Sequence, residues 1–209
     1  NFLVTEDGKK VEGLNVEPAG SKPMTVVLAI DTSGSMQGQP LADAKTAAKG
    51  FVERMKAPHR LAVVSFSTTP ALVAASTSSK DILSAAIDRL GASGDTAVYD
   101  GLSLSLDVLA QAGEGQKNII VLSDGADNRS TVGFDQVLSR AKSEGVTVFG
   151  VGLQSSEFNA ATLERIASES GGKLVLTSDS TALYSLYASL AKELSQQYTI
   201  SYISSAGQT

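Results

Sequence analysis

Three oxygen-bearing side chains, Asp31, Ser33 and Ser35, stand at alternate positions directly after an apolar run over residues 26–30. A strand that is apolar on both faces belongs in the middle of a parallel sheet, and such sheets bind ligands at the carboxyl ends of their strands. One carboxylate and two hydroxyls packed this closely suit a hard divalent cation. Mg²⁺ fits best, because it accepts a few protein oxygens and retains waters. The spacing therefore predicts a divalent-cation site at one rim of a sheet.

Two later segments carry further oxygen donors. Thr96 lies in a polar loop before a helical pattern, and Asp124 follows a second apolar run over residues 119–122. Because buried parallel strands end at the same rim, we expect Asp31 and Asp124 to lie close together. Two carboxylates at one rim repel each other, and each has a raised pKa unless a cation intervenes.

The chain contains Asp-x-Ser-x-Ser, then Thr, then Ser-Asp-Gly. In the order and spacing of these residues, it resembles a bacterial von Willebrand factor type A domain with a complete metal-dependent adhesion site (MIDAS). The resemblance covers residues 23–203, nearly the whole chain. It implies that Ser33, Ser35 and Thr96 supply hydroxyl ligands, while Asp31 and Asp124 bind the metal directly or hold its waters. It also implies a coordination position left for an acidic residue of a partner, so that the site serves binding rather than turnover.

Simpler interpretations of some of these residues remain open. Asp31, Ser33 and Ser35 would also suit an N-cap cluster for the following helix, since Asp and Ser are favoured there without any metal. Asp124 begins an Asp-Gly pair, which is common in turns. Asp127 is predicted to be a solvated loop residue that only tunes the local charge.

Two other polar residues have open or minor roles. Asp100 either hydrogen-bonds the metal-binding loops from outside the ligand set or is an acid favoured by the dipole at a helix start. His59 is the single histidine and comes just before a strand, so we expect it at the surface of the opposite rim.

Composition excludes several classes of function. The net charge of −5 and the absence of a Lys/Arg cluster argue against nucleic-acid binding, which needs clustered cations. Zero cysteines exclude disulfides, zinc–thiolate sites and thiol catalysis. No apolar run approaches the roughly 20 residues that span a membrane. We expect the 209 residues to be a piece of a longer protein, with any membrane association made by parts outside it.

Hydrophobic periodicity predicts strands that alternate with helices. The predicted strands are 25–30, 61–66, 71–75, 118–122, 146–151, 173–176 and 198–203, and the predicted helices are 40–55, 81–90, 97–112, 134–144, 160–170 and 182–194. This alternation predicts a doubly wound, Rossmann-like α/β sheet of about six strands, mostly parallel, with one antiparallel edge strand and helices on both faces. The expected organisation is a short N-terminal β extension (1–22), the domain (23–203) and a tail that begins a linker (204–209).

The expected function is divalent-cation-dependent protein binding, or adhesion. Mg²⁺, with Mn²⁺ or Ca²⁺ as substitutes, would capture a Glu or Asp side chain of a partner protein, in an extracytoplasmic, cell-surface or membrane-anchored setting. The alternative is a structural scaffold in a bacterial membrane, secretion or pilus assembly, with a purely structural metal.

The hypothesis that the protein is an enzyme is the least favoured by the sequence. Phosphatases of the haloacid dehalogenase type need a second Asp where Ser33 stands. The chain also lacks the Gly-x-Ser-x-Gly motif of α/β-hydrolases and the Gly-Lys-Ser/Thr of nucleotide-binding loops.

Overall fold

The computed structural model describes residues 3–18, 23–124, 126–153, 160–177, 198–202 and 204. The strands are β1 (Thr5–Glu6), β2 (Lys9–Lys10), β3 (Asn15–Pro18), β4 (Met24–Asp31), β5 (Arg60–Phe66), β6 (Pro70–Thr77), β7 (Gln116–Ser123), β8 (Val146–Leu153), β9 (Leu174–Thr177) and β10 (Tyr198–Ser201). The helices are α1 (Gln39–Arg54), α2 (Lys80–Asp88), α3 (Val98–Ala110), α4 (Phe134–Ser143) and α5 (Ala160–Glu169), and a short 3₁₀ helix covers Gly34–Met36. The predicted helix at 182–194 lies outside the described residues.

A six-stranded sheet with the order β6-β5-β4-β7-β8-β9 forms the centre of the fold. Every neighbouring pair in it is parallel except β5 and β6, so β6 is an antiparallel edge strand. The predicted mostly parallel sheet is therefore confirmed. From β4 the chain builds outward to β6 on one side, then returns to β7 and builds outward to β9 on the other. The junction of β4 and β7 is the topological switch point, where sheets of this kind open a crevice for ligands.

Helices pack on both faces of the sheet. On β4, Val26, Leu28 and Ile30 face a core completed by α1 and α2, whereas Val27 and Ala29 face a core completed by α3, α4 and α5. All five side chains are fully buried. The two-sided burial explains why β4 is an uninterrupted apolar run instead of an alternating one.

Helix α3 lies unusually close to β5. A Cβ atom added at Gly101 would lie 2.7 Å from the ring of Phe66, which is itself fully buried. Only glycine allows this approach, and it brings the start of α3 to the rim where β4 and β7 end.

The first residues of the chain form strands apart from the main sheet. Strands β1 and β2 make an antiparallel hairpin whose turn uses two positive φ angles, 50° at Asp7 and 78° at Gly8. Strand β3 pairs antiparallel with β10, so the last predicted strand joins a separate two-stranded sheet and does not extend the central one. None of the described helices is both long enough and apolar enough to cross a membrane.

Candidate metal centre

Four of the five predicted ligands, Asp31, Ser33, Ser35 and Asp124, gather at the switch point of the sheet. Strand β4 ends at Asp31, and Asp124 directly follows the end of the neighbouring strand β7. The two strands are parallel and pair Ile30 with Leu122, which places Asp31 and Ser123 side by side at the rim. The Ser123 hydroxyl donates a hydrogen bond of 2.5 Å to Asp31 Oδ2.

A chain of hydrogen bonds joins four of the five predicted ligands. Asp31 Oδ1 accepts from the backbone N–H of Ser33 at 2.8 Å. The hydroxyls of Ser33 and Ser35 are 3.0 Å apart, and the Ser35 hydroxyl donates to Asp124 Oδ1 at 2.8 Å. Their oxygens therefore lie within a few ångströms of one another.

Burial sets the electrostatics of this cluster. Asp31 is 0% exposed, and burial raises the pKa of its carboxyl from 3.8 to about 6. Hydrogen bonds from Ser123 and Ser33 lower this pKa, and the negative charge of Asp124 adds a smaller increase. The expected rise in the Asp31 pKa is present, but burial contributes more to it than repulsion does. No ion pair between described residues supplies a positive charge to Asp31.

Thr96 reaches the rim on a loop that is bonded to the Asp31 loop. The N–H of Gly34 donates to the carbonyl of Gly94 at 2.9 Å, and the N–H of Ser93 donates to the carbonyl of Thr32 at 2.8 Å. Gly94 has a φ of +82°, and a Cβ there would lie 2.3 Å from Thr68 Oγ1. The loop can therefore dock in this way only with glycine at that position. Thr96 is 5% exposed.

Residues that follow Asp124, far from α3 along the chain, cap the first turn of that helix. The N-cap residue of α3, Ala97, has no side chain that can accept a hydrogen bond from the first turn. The N–H of Tyr99 donates instead to Asp127 Oδ2 at 3.2 Å, and that of Asp100 donates to the hydroxyl of Ser130 at 3.0 Å. Residues 127–132 are called the clamp segment below.

The prediction of a solvated Asp127 is wrong. Its carboxylate is only partly exposed and accepts hydrogen bonds from the N–H of Tyr99 and from both the N–H and the hydroxyl of Ser130. Its negative charge also lies at the positive end of the α3 dipole. Asp127 is therefore a capping residue for a helix that precedes it in the chain.

Asp100 lies in the first turn of α3 and holds the other end of the clamp segment. Its carboxylate accepts from the N–H groups of Thr131, at 3.0 Å, and Val132, at 2.9 Å. These bonds tie Asp100 to the loop that follows Asp124, and Asp100 also lies in the first turn of α3, so both interpretations of this residue fit the structure.

The simpler N-cap interpretation of the first cluster does not fit the structure. The 3₁₀ helix after Ser33 has no side-chain cap, and the N-cap of α1 is Gly38, also without one. The side chains of Ser33 and Ser35 bond each other and Asp124 instead. His59 precedes the amino end of β5 and so lies at the opposite rim, as expected; burial lowers its pKa.

The donor set fits a hard divalent cation. It offers two carboxylates and three hydroxyls, and hard oxygen donors are what Mg²⁺, Mn²⁺ and Ca²⁺ prefer. The described residues contain no group of three or more His, Cys, Asp or Glu side chains that could hold a metal. A cation here would therefore depend on the hydroxyls as well as on the two carboxylates.

Two contributors to the site, Ser123 and Asn128, were missed at the level of sequence. Ser123 is part of the Ser-Asp-Gly triplet, but its bond to Asp31 follows only from the pairing of β4 with β7. Asn128 bonds the backbone of Thr96, which is 32 positions away along the chain. No local pattern marks such a contact.

The chain is similar to known proteins over most of its length. The family model of the von Willebrand factor type A domain matches residues 25–189. An uncharacterized protein of Synechocystis sp. is 33% identical over 159 residues, which are 73% of this chain and 37% of that protein. The chain spans only 37% to 60% of the length of the curated relatives that it matches first.

Solved structures share the fold at low sequence identity. A von Willebrand factor type A protein from Catenulispora acidiphila is 18% identical with a TM-score of 0.77, over 93% of this chain and 52% of that one. Proximal thread matrix protein 1 from the mussel byssus, solved with a zinc-occupied MIDAS motif, is 23% identical with a TM-score of 0.77, over 90% and 49%. The vWF domain of the type V pili tip protein Mfa5 from Porphyromonas gingivalis is 16% identical with a TM-score of 0.71, over 84% and 97%.

Proposed function

Because the chain belongs to the von Willebrand factor type A domain family, whose members often bind a metal and mediate protein interactions, we propose that it is a divalent-cation-dependent protein-binding domain. The cation is Mg²⁺, with Mn²⁺ or Ca²⁺ able to replace it. The proposed ligands, acting directly or through water, are Asp31, Ser33, Ser35, Thr96 and Asp124. The partner is a protein that offers a Glu or Asp side chain.

The observation that carries this proposal is the hydrogen-bonded cluster around the buried carboxylate of Asp31. Ser123 and the N–H of Ser33 fix both oxygens of Asp31, so this side chain needs little reorganisation to meet a cation. A divalent cation would offset the charge that burial leaves uncompensated there.

Charge balance leaves room for an acidic partner. Two carboxylates neutralise one divalent cation, and three hydroxyls add no charge, so a further carboxylate would meet no net negative charge among the ligands. A bound Mg²⁺ supplies a Lewis-acidic position that a carboxylate oxygen of the partner can take. Around this position, residues 36–39, 67–70, 93–99 and 126–132 would set specificity.

Domains of this family are generally interaction modules, and the curated relatives carry no enzymatic names. Proteins that share the fold include a pilus tip protein and a byssus matrix protein with zinc in its MIDAS. These likenesses support placing the full-length protein outside the cytoplasm, at the cell surface or anchored in a membrane.

A scaffold with a purely structural metal is the second candidate. The hydrogen bonds between the start of α3 and the clamp segment favour it, because a cation would add one more tie among loops that already hold each other. The two candidates differ in whether an outside carboxylate can reach the cation.

Thermal or urea unfolding during a Mg²⁺ titration tests the cation site. At about a hundredfold excess over Kd, Mg²⁺ should add roughly 2.7 kcal/mol of apparent stability. The double variant Ser33→Ala/Ser35→Ala should lose this gain. The matched control, Ser139→Ala/Ser168→Ala, removes two exposed hydroxyls from α4 and α5 and should keep it. If wild type gains nothing from Mg²⁺, Mn²⁺ or Ca²⁺, the proposal is wrong.

Water proton relaxation with bound Mn²⁺ separates adhesion from scaffolding. Adhesion predicts fast-exchanging water on the protein-bound Mn²⁺, and acetate or a Glu-containing peptide should displace it and lower the relaxivity. A structural metal predicts no response to the carboxylate. Hydrolysis of p-nitrophenyl phosphate that requires Mg²⁺ and is abolished by Asp31→Asn would instead identify an enzyme.

A further inference from the structure

Asn128 holds the backbone of Thr96 on both sides of its Cα atom. Its side-chain Oδ1 accepts from the N–H of Thr96 at 2.9 Å, and its own N–H donates to the carbonyl of Thr96 at 3.0 Å. Only the first bond depends on the amide side chain. Replacing Asn128 therefore removes one of the two ties and leaves the other in place.

The two ties fix the direction of the Thr96 side chain. With the peptide groups on both sides held, the Cα–Cβ bond can point only one way. Threonine is branched at Cβ, which also restricts its χ1 angle, so the backbone orientation largely decides where the hydroxyl lies. A small rotation of this backbone would move the hydroxyl relative to Asp31 and Asp124.

Other contacts hold the loop itself in place. Ser93 and Gly34 bond across to the opposite loop, and the N–H of Ala97 donates to the carbonyl of Ser67 at 2.9 Å. These bonds do not involve Asn128, so loss of its amide should leave the loop docked. The Asn128 side chain therefore orients Thr96 and is not needed to keep the loop docked.

We propose that Asn128 is a positioning residue for cation binding, which acts by directing the hydroxyl of Thr96 and does not touch the cation. The inference rests on the proposed function, because it assigns Thr96 to the ligand set. Partners that orient metal ligands in this way commonly change metal affinity by about 10- to 100-fold when they are lost.

The test is a calorimetric titration with Mg²⁺ of wild type, Asn128→Ala, Thr96→Val and the double variant. Asn128→Ala should lower the affinity by about 10- to 100-fold. In the Thr96→Val background the same change should alter affinity by less than about twofold, since no hydroxyl remains to be directed. Gln136→Ala, which removes an exposed amide from α4, is the control and should bind like wild type.

Asn128→Asp keeps an acceptor oxygen and serves if the alanine variant does not fold. Its affinity should equal or exceed that of wild type, because it also adds a negative charge near the site. An unchanged affinity in Asn128→Ala, an equal loss with and without the Thr96 hydroxyl, or a tenfold loss in Asn128→Asp would each overturn the inference alone. A wild-type domain that binds no Mg²⁺ would overturn the proposed function and this inference with it.

Discussion

Asp31→Asn removes a buried negative charge at the switch point while keeping the size of the side chain. The Asn oxygen can still accept from the N–H of Ser33, and the Asn NH₂ can donate to the hydroxyl of Ser123, which rotates to accept. The variant therefore tests the charge of Asp31 with little change in its packing.

The magnitude follows from the pKa of Asp31. Folding raises this pKa from 3.8 to about 6. At about 1.36 kcal/mol per pKa unit, the ionised carboxylate destabilises the cation-free fold by about 3 kcal/mol at neutral pH. Because the folded-state pKa is raised, this penalty is absent below about pH 4 and complete above about pH 6 to 7. Without cation, Asp31→Asn should thus be more stable than wild type at neutral pH, by up to about 3 kcal/mol, and equal to it near pH 4.

Urea unfolding in EDTA and in saturating Mg²⁺, at neutral and at acidic pH, measures this difference. In Mg²⁺ at neutral pH, wild type should recover roughly 2.7 kcal/mol at a hundredfold excess over Kd, and the variant should not respond. Glu164→Gln, at an exposed position in the middle of α5, is the control and should stay within about 0.5 kcal/mol of wild type. If Asp31→Asn is less stable than wild type in EDTA at neutral pH, the inference that the buried charge of Asp31 destabilises the cation-free fold is wrong.

Three further predictions concern the elements around the site. The affinity for Mg²⁺ should fall as the pH drops through about 6, because protons compete for the Asp31 carboxylate, and titrations at a series of pH values measure this. Gly101→Ala should destabilise the domain by about 1–3 kcal/mol in urea, since the new methyl group meets the Phe66 ring, whereas Gly113→Ala, with open space around its Cβ, should be close to neutral. Asp127→Ala should cost about 0.5–2 kcal/mol by uncapping α3, and hydrogen exchange should be fastest at the first turn of that helix if this reasoning holds.

The sheet and the gathering of the main site residues were predictable from sequence. The apolar runs of β4 and β7 have no alternation, which indicates central strands, and parallel central strands end at the same rim. Asp31 and Asp124 directly follow those runs, so their proximity needed no knowledge of distant contacts. The bounds of the five described helices followed from the 3.6-residue period, to within two residues.

Contacts between loops could not be predicted in this way. The bonds of Asp127 and Asn128 to the start of α3 join segments about 30 positions apart, and neither segment carries a periodic pattern. Strand β10 is four residues long, and so short a pattern does not specify its partner, β3. The pKa of Asp31 depends mainly on burial, which is known only once the surrounding loops are placed.

The cap that α3 receives from the clamp segment bears on the order in which the domain can form during synthesis. A nascent chain that ends at Ala110 has every residue of α3 but none of the side chains that cap it, because Asp127 and Ser130 have yet to be added. The same delay applies to Asp124 and to β7, the strand that precedes it. The capped form of α3 and the full set of site residues therefore become available only once the chain has been extended through Ser130.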